Sequence, residues 1–316
     1  MPYNNLTSRT DVASLIPEEV SRDIIGRLPA QSAALTMFNR IPVNRAQVRI
    51  PILSALPTAY WVTGDTGLKQ TTEVSWANKF LNIEELAVIV PVPQAVLDDA
   101  EYDIWGESRP LLVEAIGRAL DAAVFFGVNA PASFPTNINT AAAAAGNSVT
   151  EALAATAGGF FGDIDAAIAT VETDGFDVSG IVAARSARGR FRTARNANGD
   201  RLDQARIGPA LDMLDGNAIV YPMRGLFPTG GAAGTNVRLF AGDFTQYMLG
   251  VRQDITFTLS TDGVIQDNTG AIVYNLFQQD MVAMRVVFRA GWQVSNVINF
   301  DQPTEASRYP VSVVKF

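Results

Sequence analysis

Apolar positions recur with period two from Gln47, where Val48, Ile50 and Ile52 alternate with Gln47, Arg49 and Pro51. That spacing predicts a strand, and Pro51 within it is tolerated at a sheet edge. Upstream, the first fourteen residues are polar without periodicity and read as an arm that orders against a partner. A helix follows: Pro17 suits a first turn, Glu18 and Glu19 favour its positive end, and Val20, Ile24, Ile25 and Leu28 share a face before Pro29 stops it. From Ala59 to Phe80, two β-prone runs flank Thr63-Gly64-Asp65-Thr66-Gly67 and predict a long hairpin. Roughly ten residues per arm at about 3.3 Å each would project some 30 Å, too far for one domain to cover both faces. Trp61 and Trp76 on it would be exposed in a monomer and buried in an assembly.

A strand from Ile83 to Val92 ends at Pro91 and Pro93. Pro110 to Gly127 then carries Leu111, Leu112, Ala115, Ile116, Ala119, Leu120, Ala123 and Val124 as a broad helical stripe, a helix of roughly 27 Å. Residues 128–160, rich in Ala, Asn, Gly and Thr, read as a linker and a domain boundary. An α/β-like alternation follows: a helix near Asp163 to Thr173, a strand Ile181 to Ala184, an Arg-rich helix from Ser186 to about Ala197, and a strand near Ala218 to Tyr221. Strands are predicted at Val237 to Ala241, Met248 to Val251 and Ile255 to Leu259, and Asp280 to Phe300 reads as two β-rich runs hinged at Gly291. No tandem repeat is visible.

Composition sharpens this picture. A chain of 316 residues exceeds the usual single core, so two packed regions or one domain with long extensions are expected. With 48% hydrophobic and 18% charged residues, the exterior is thinly charged and suits coverage by other subunits. A net charge of -8 argues against a protein whose main task is gripping nucleic acid. The cations are nearly all arginine, Lys69, Lys79 and Lys315 being the only lysines, which fits bidentate interface pairs and equally a genomic bias. Without Cys or His there is no disulfide, thiol nucleophile, Ser-His-Asp triad or ordinary zinc site. Carboxylate-only chemistry remains, either a glycosidase-type pair or a magnesium site in a small soluble oligomer. The polar start and the lack of any long apolar run imply a protein made and kept in the cytoplasm or in something assembled there.

Three constellations invite a sharper reading. Arg185, Arg188, Arg190, Arg192, Arg195, Arg201 and Arg206 form a basic run; the neighbouring Asp200, Asp203 and Asp212, with only Phe191 as an interleaved aromatic, favour ion pairs over nucleic acid. Gly230-Gly231-Ala232-Ala233-Gly234 precedes a strand pattern rather than a helix, so a phosphate loop is not expected. The acids Asp98, Asp99, Glu101 and Asp103, and Asp163, Asp165, Asp174 and Asp177, lack calcium-loop spacing and read as solvated helix ends and turns. No metal, cofactor or catalytic residue is assigned.

The order of segments resembles the major capsid proteins of tailed bacteriophages with the HK97-type fold, over nearly the whole chain. Leu15-Ile16-Pro17 with Ile24-Ile25 is similar to that family's N-terminal arm and first helix. Ile50-Pro51, Ala59-Tyr60-Trp61-Val62, Ser75, Phe80 and Leu86 look like the entry, crossing and exit of its E-loop, and Pro110 to Gly127 sits where its spine helix sits. Val182 through Arg195 and Asn198-Gly199-Asp200-Arg201-Leu202 resemble its A-domain helix and following turn. Leu214 to Val220, Ala241-Gly242-Asp243-Phe244, Gly250-Val251-Arg252 and Asp280 to Arg285 complete the pattern in order. The turn at Thr63-Gly64-Asp65 departs from it in lacking the glutamate that commonly follows the Trp-Val pair.

The resemblance implies an α+β subunit with an N-terminal arm (1–46), a discontinuous P-domain (47–53, 83–150 and 281–316), an E-loop (54–82) and an A-domain (151–280). It implies a non-enzymatic shell protein that assembles through pentamers and hexamers around phage double-stranded DNA, held only by non-specific contact, in a virion built in the host cytoplasm. A cellular encapsulin-like nanocompartment of the same fold is the alternative. The arm starts almost at Met1, which implies a separate scaffolding protein alongside a portal, with room for a decoration protein and no membrane. Trp61, Trp76 and Phe80 are the candidate apolar anchors between subunits, and Arg185, Arg188, Arg190, Arg192 and Arg195 a candidate ion-pair seam. Some relatives join subunits by Lys–Asn bonds; Lys69 with Asn296 or Asn299 would be the counterpart here, although no matching motif surrounds them.

Overall fold

One long helix packs against a four-stranded sheet, and the turn that extends it reaches a six-stranded sheet through Phe125 and Phe240. The computed structural model describes residues 32–316 apart from 65–66, 101–102, 152–157, 196–206, 208–210, 223, 229–233, 235 and 268. Residues 1–31 of the arm, with the helix expected at Pro17 to Leu28, the turn Asn198 to Leu202 and the glycine run from Gly230 lie outside the described residues, save Gly234. In chain order the first elements are α1 (Ala33–Met37), β1 (Asn39–Pro42), β2 (Gln47–Ala55), β3 (Ser75–Asn82), β4 (Glu84–Pro93), α2 (Gln94–Asp99) and α3 (Ile104–Asp121). A π turn (Ala122–Phe126) extends α3, followed by α4 (Ile138–Ala145), β5 (Ser148–Thr150), α5 (Gly159–Thr173), β6 (Gly180–Ala183) and α6 (Ala187–Thr193). The remainder is β7 (Met213–Leu214), β8 (Asn217–Val220), β9 (Val237–Gly242), β10 (Tyr247–Ser260), β11 (Val264–Gln266), β12 (Ile272–Asn275), β13 (Met281–Val294) and β14 (Val311–Lys315).

A four-stranded sheet runs β1-β10-β13-β4 and a six-stranded sheet runs β5-β14-β9-β6-β8-β7. The first core joins Leu112, Ile116, Leu120 and Val124 of the helix to Met284, Val286 and Phe288 of one sheet and to Val182, Phe240 and Val313 of the other. A second core covers the far face of the six-stranded sheet, where Ile181, Ala183, Leu239, Ala241 and Val314 meet Phe160, Phe161, Ile164 and Phe191. Because alternate residues of β6 enter different cores, that strand reads as one apolar run, as expected of a sheet covered on both faces. Val311–Lys315 pairs with β9 and β5 in the six-stranded sheet.

Several expectations change. The hairpin is formed by β2 with β3, Arg49 opposite Phe80 and Leu53 opposite Trp76, so Ala59 to Val62 is not a paired arm. Pro57 has no N–H to extend the ladder, and residues 56–63 carry no strand. Pro51 lies opposite Asn78 in this two-stranded ribbon, where each strand is an edge. The spine helix begins at Ile104, placing Pro110 inside it. Ser108 Oγ donates to Ile104 O at 2.6 Å, supporting the turn just before that proline. The helix ends through the π turn at Gly127, whose φ of 71° is cheap only for glycine.

Residues 138–145, expected as linker, form α4 instead. Alanine is the best helix former, Asn137 Oδ1 accepts from Thr140 N at 2.9 Å, and Ile138 and Ala142 are buried. Asn137→Ala is expected to lower unfolding free energy by about 1 kcal/mol in urea titrations of the unassembled subunit.

The last β-rich region is one unbroken strand, so Gly291 is not a hinge. It pairs with Gly250, and the chain crosses over that pair on its way from β3 to β4. The two segments read at Met248 to Val251 and Ile255 to Leu259 are one strand, β10, with register shifts between Val251 and Thr256.

Candidate subunit-interaction surfaces

The projecting hairpin is fixed at its base and uncovered along its length. Leu81 is fully buried, Gln293 Nε2 donates to Phe80 O at 2.9 Å, and Asn82 Nδ2 donates to Ser133 O at 2.9 Å. Lys79 Nζ pairs with Glu305 at 3.1 Å. Beyond this anchorage, alternation on β3 turns Trp76, Asn78 and Phe80 to one open face. Trp61 is 99% exposed and Leu68 90%, with Tyr60, Val62 and Val74 also exposed. An apolar group of this size on a projection has no cover within the subunit. Lys69 is exposed on the same loop.

The arginines of α6 divide into two groups. Arg190 Nε meets Glu151 at 3.0 Å, and Arg238 reaches the same buried carboxylate at 3.1 Å while lying over the Phe316 ring. Arg188 lies over Tyr221 at 4.2 Å. Desolvation pushes the Tyr221 hydroxyl above its usual range, opposed by Arg188. These contacts lie within the subunit and brace the six-stranded sheet. Arg185, Arg192 and Arg195 are exposed, without an ion-pair partner among the described residues.

Sequence reading missed a second apolar projection. β11 and β12 form a separate two-stranded ribbon in which Val264, Ile272, Val273 and Tyr274 are exposed, followed by Phe277 at 81%. Consecutive exposed residues at 272–274 mean that both faces are open. An isolated two-stranded ribbon is marginal in water, so this one also fits a covered position. Gly263 and Gly270 beside short β-branched runs were the available signal. Asp262, Asp267 and Asp280 flank it with no Lys or Arg between residues 260 and 280, giving it an acidic rim.

The remaining residues of interest are occupied internally. Asn296 Nδ2 donates to Arg308 O and its Oδ1 accepts from Arg308 Nε, while Asn299 Nδ2 donates to Asp174 O, so both amides are hydrogen-bonded within the subunit. Asp174 Oδ2 accepts from Asn147 Nδ2 and Tyr309 N. Among the described residues no three acidic side chains converge on a metal-sized site, and no helix is long and apolar enough to cross a membrane.

A two-sheet body with a spine helix and two uncovered apolar projections defines an assembling structural subunit. The sequence matches the phage capsid family over residues 13–300. It is 22% identical over 302 residues to the major capsid protein of Staphylococcus phage 80alpha, covering 93% of this chain and 86% of that one. A chain from Microbacterium phage Oxtober96 superposes with a TM-score of 0.82 at 36% identity, covering 97% of this chain and 98% of its own. One from Mycobacterium phage Cain gives 0.85 at 29%, with 98% of each chain covered. The chain belongs to the phage capsid family, with the HK97-type α+β fold, and its function is that of a phage major capsid protein. That family is one of structural proteins, its place is the virion, and the nanocompartment alternative is not favoured.

Proposed function

We propose that the subunit closes through pentamers and hexamers into an icosahedral shell around double-stranded DNA, with the β2–β3 hairpin and its distal loop as the principal brace between copies. Trp61, 99% exposed on a projection whose base is hydrogen-bonded to the body, is the observation that carries this reading. Its apolar tip has most to gain from cover on a neighbour. Trp76 and Phe80 extend the same face toward the body, and the β11–β12 ribbon supplies a second contact.

The arm (1–46), P-domain (47–53, 83–150, 281–316), E-loop (54–82) and A-domain (151–280) are the parts through which neighbours meet. Within the A-domain, Arg185, Arg192 and Arg195 are the arginines open to partners; Arg188 and Arg190 support them from inside. Many modest contacts repeated over a closed surface sum to a stable shell. A scaffold and a portal join the assembly in the host cytoplasm, with room for a decoration protein, and DNA is held without sequence preference. The chain itself does no chemistry.

Deletion of Thr63 to Thr72 tests the brace. Negative-stain microscopy is expected to show loss of closed shells, while far-UV circular dichroism and the melting temperature of the unassembled subunit stay within about 2 °C of the parent. Shells of unchanged yield and stability would remove the hairpin from this role.

A further inference from the structure

The described chain enters the body at Ser32, and the first groups to arrive are received by one side chain of the spine helix. Asp121, the last residue of α3, is fully buried. Its Oδ1 accepts from Ser32 Oγ at 2.6 Å and Ala34 N at 3.1 Å, and its Oδ2 accepts from Ala33 N at 2.9 Å. Ser32 Oγ in turn accepts from Leu35 N at 3.2 Å. Helix α1 has five residues, too few to persist alone, and its opening N–H groups have no intrahelical acceptor. Asp121 supplies one from 88 residues away.

A buried carboxylate with no cation on it among the described residues is an expensive choice for packing. Desolvation pushes the Asp121 carboxyl up from its usual range, while the bonds from Ser32, Ala34 and Ala33 oppose that rise. A hydrophobic residue would fill this core position at lower cost, so the carboxylate is explained by what it holds.

What it holds touches every layer. Phe38, next after α1, stacks on Tyr247 at 4.9 Å between ring centres and on Phe244 at 6.3 Å, and lies 6.2 Å from Phe125 in the π turn. The methyl end of Met37 occupies the space a side chain on Gly180 of β6 would need. Strand β1 then pairs in parallel with β10. The π turn starts at the residue after Asp121, and such turns are places where a helix departs from its own hydrogen-bond ladder.

We propose that Asp121 is a latch joining the entry of the N-terminal segment to the junction of the spine helix and its π turn, so that loosening one loosens the other. The latch belongs to the single subunit and does not depend on the shell reading.

Hydrogen–deuterium exchange on the unassembled full-length subunit tests the latch. Asp121→Asn puts an N–H₂ where one of three donors needs an acceptor, and exchange at residues 33–38 and 122–128 is expected to rise about tenfold, with β6 and β9 unchanged. Ser32→Ala removes one bond and is expected to give a smaller rise confined to 33–36. It carries the test if Asp121→Asn does not fold. Unchanged exchange at 33–38, or an equal rise in every element, would overturn the latch whether or not the parent protein forms shells.

Discussion

Gly291→Ala is expected to lower the stability of the subunit by more than about 4 kcal/mol, and Gly291→Val to leave no folded protein in the soluble fraction. Gly291 does not need an unusual backbone angle; it needs space. A Cβ placed there would lie 1.8 Å from Asn82 O, 2.8 Å from Asn82 C and 3.2 Å from Ile83 Cα. All three are backbone atoms of the turn linking β3 to β4, and no rotamer change relieves them. The turn would have to lift by more than an ångström, breaking the bonds from Gln293 to Phe80 and from Asn82 to Ser133 that set the hairpin's direction. Gly250 across the ladder is the control. A Cβ there would meet Leu81 Cδ2 at 2.6 Å and Ile83 Cδ1 at 2.9 Å, both ends of side chains that can turn aside. Gly250→Ala should therefore cost about 2 kcal/mol. Equal melting temperatures for Gly291→Ala and the parent would show that the crossing is not as tight as described.

Asp174→Ala should be the most damaging polar substitution, at about 3–5 kcal/mol in urea unfolding of the unassembled subunit. Its carboxylate, at the end of α5, accepts from Asn147 Nδ2 at 2.7 Å and Tyr309 N at 3.0 Å, and its own carbonyl accepts from Asn299 Nδ2 at 2.7 Å. Three distant segments thus meet on one buried residue. Truncation leaves Tyr309 N without its acceptor and strips Asn147 Nδ2 of one of its two bonds, the other running to Tyr309 O at 2.9 Å, each loss costing about 1–3 kcal/mol. Desolvation lowers the Arg308 pKa, and Glu305 and Asp174 oppose that, so the substitution also weakens the support of a buried guanidinium. Asp174→Asn keeps an acceptor and should lose less than half as much. Identical unfolding midpoints for the two variants would mean that the carboxylate's hydrogen bonds are not what holds these segments.

Elements set by local periodicity were legible in the chain. The alternation at Gln47–Ala55, the stripe of α3 and the runs at β6 and β9 declare their elements because each depends on residues a few positions apart. Gly127 closes the spine helix where its stripe stops. The capsid resemblance was legible too, since it rests on the order of such segments. Ala59 to Val62 misled because β propensity says nothing about whether a partner strand is present; Ser75–Asn82 pairs with Gln47–Ala55 instead. The alanine run of α4 was discounted as too small to build a core, although its helix needs only Ile138 and Ala142 buried and a cap at Asn137.

The arginine cluster shows the division most clearly. Its existence is plain in the sequence, yet Arg190 is spent on Glu151 and Arg188 on Tyr221, leaving Arg185, Arg192 and Arg195 outward. Nothing local to α6 distinguishes these residues. By itself, the sequence determined the elements with strong local periodicity, their order, the shell-forming class and an apolar residue, Trp61, on a projection. Only the tertiary structure decided which glycine is a crossing rather than a hinge, which acids tie distant segments together, and which arginines stay exposed. Those roles depend on groups brought together from up to hundreds of residues apart, and local spacing carries no record of what will be packed against it.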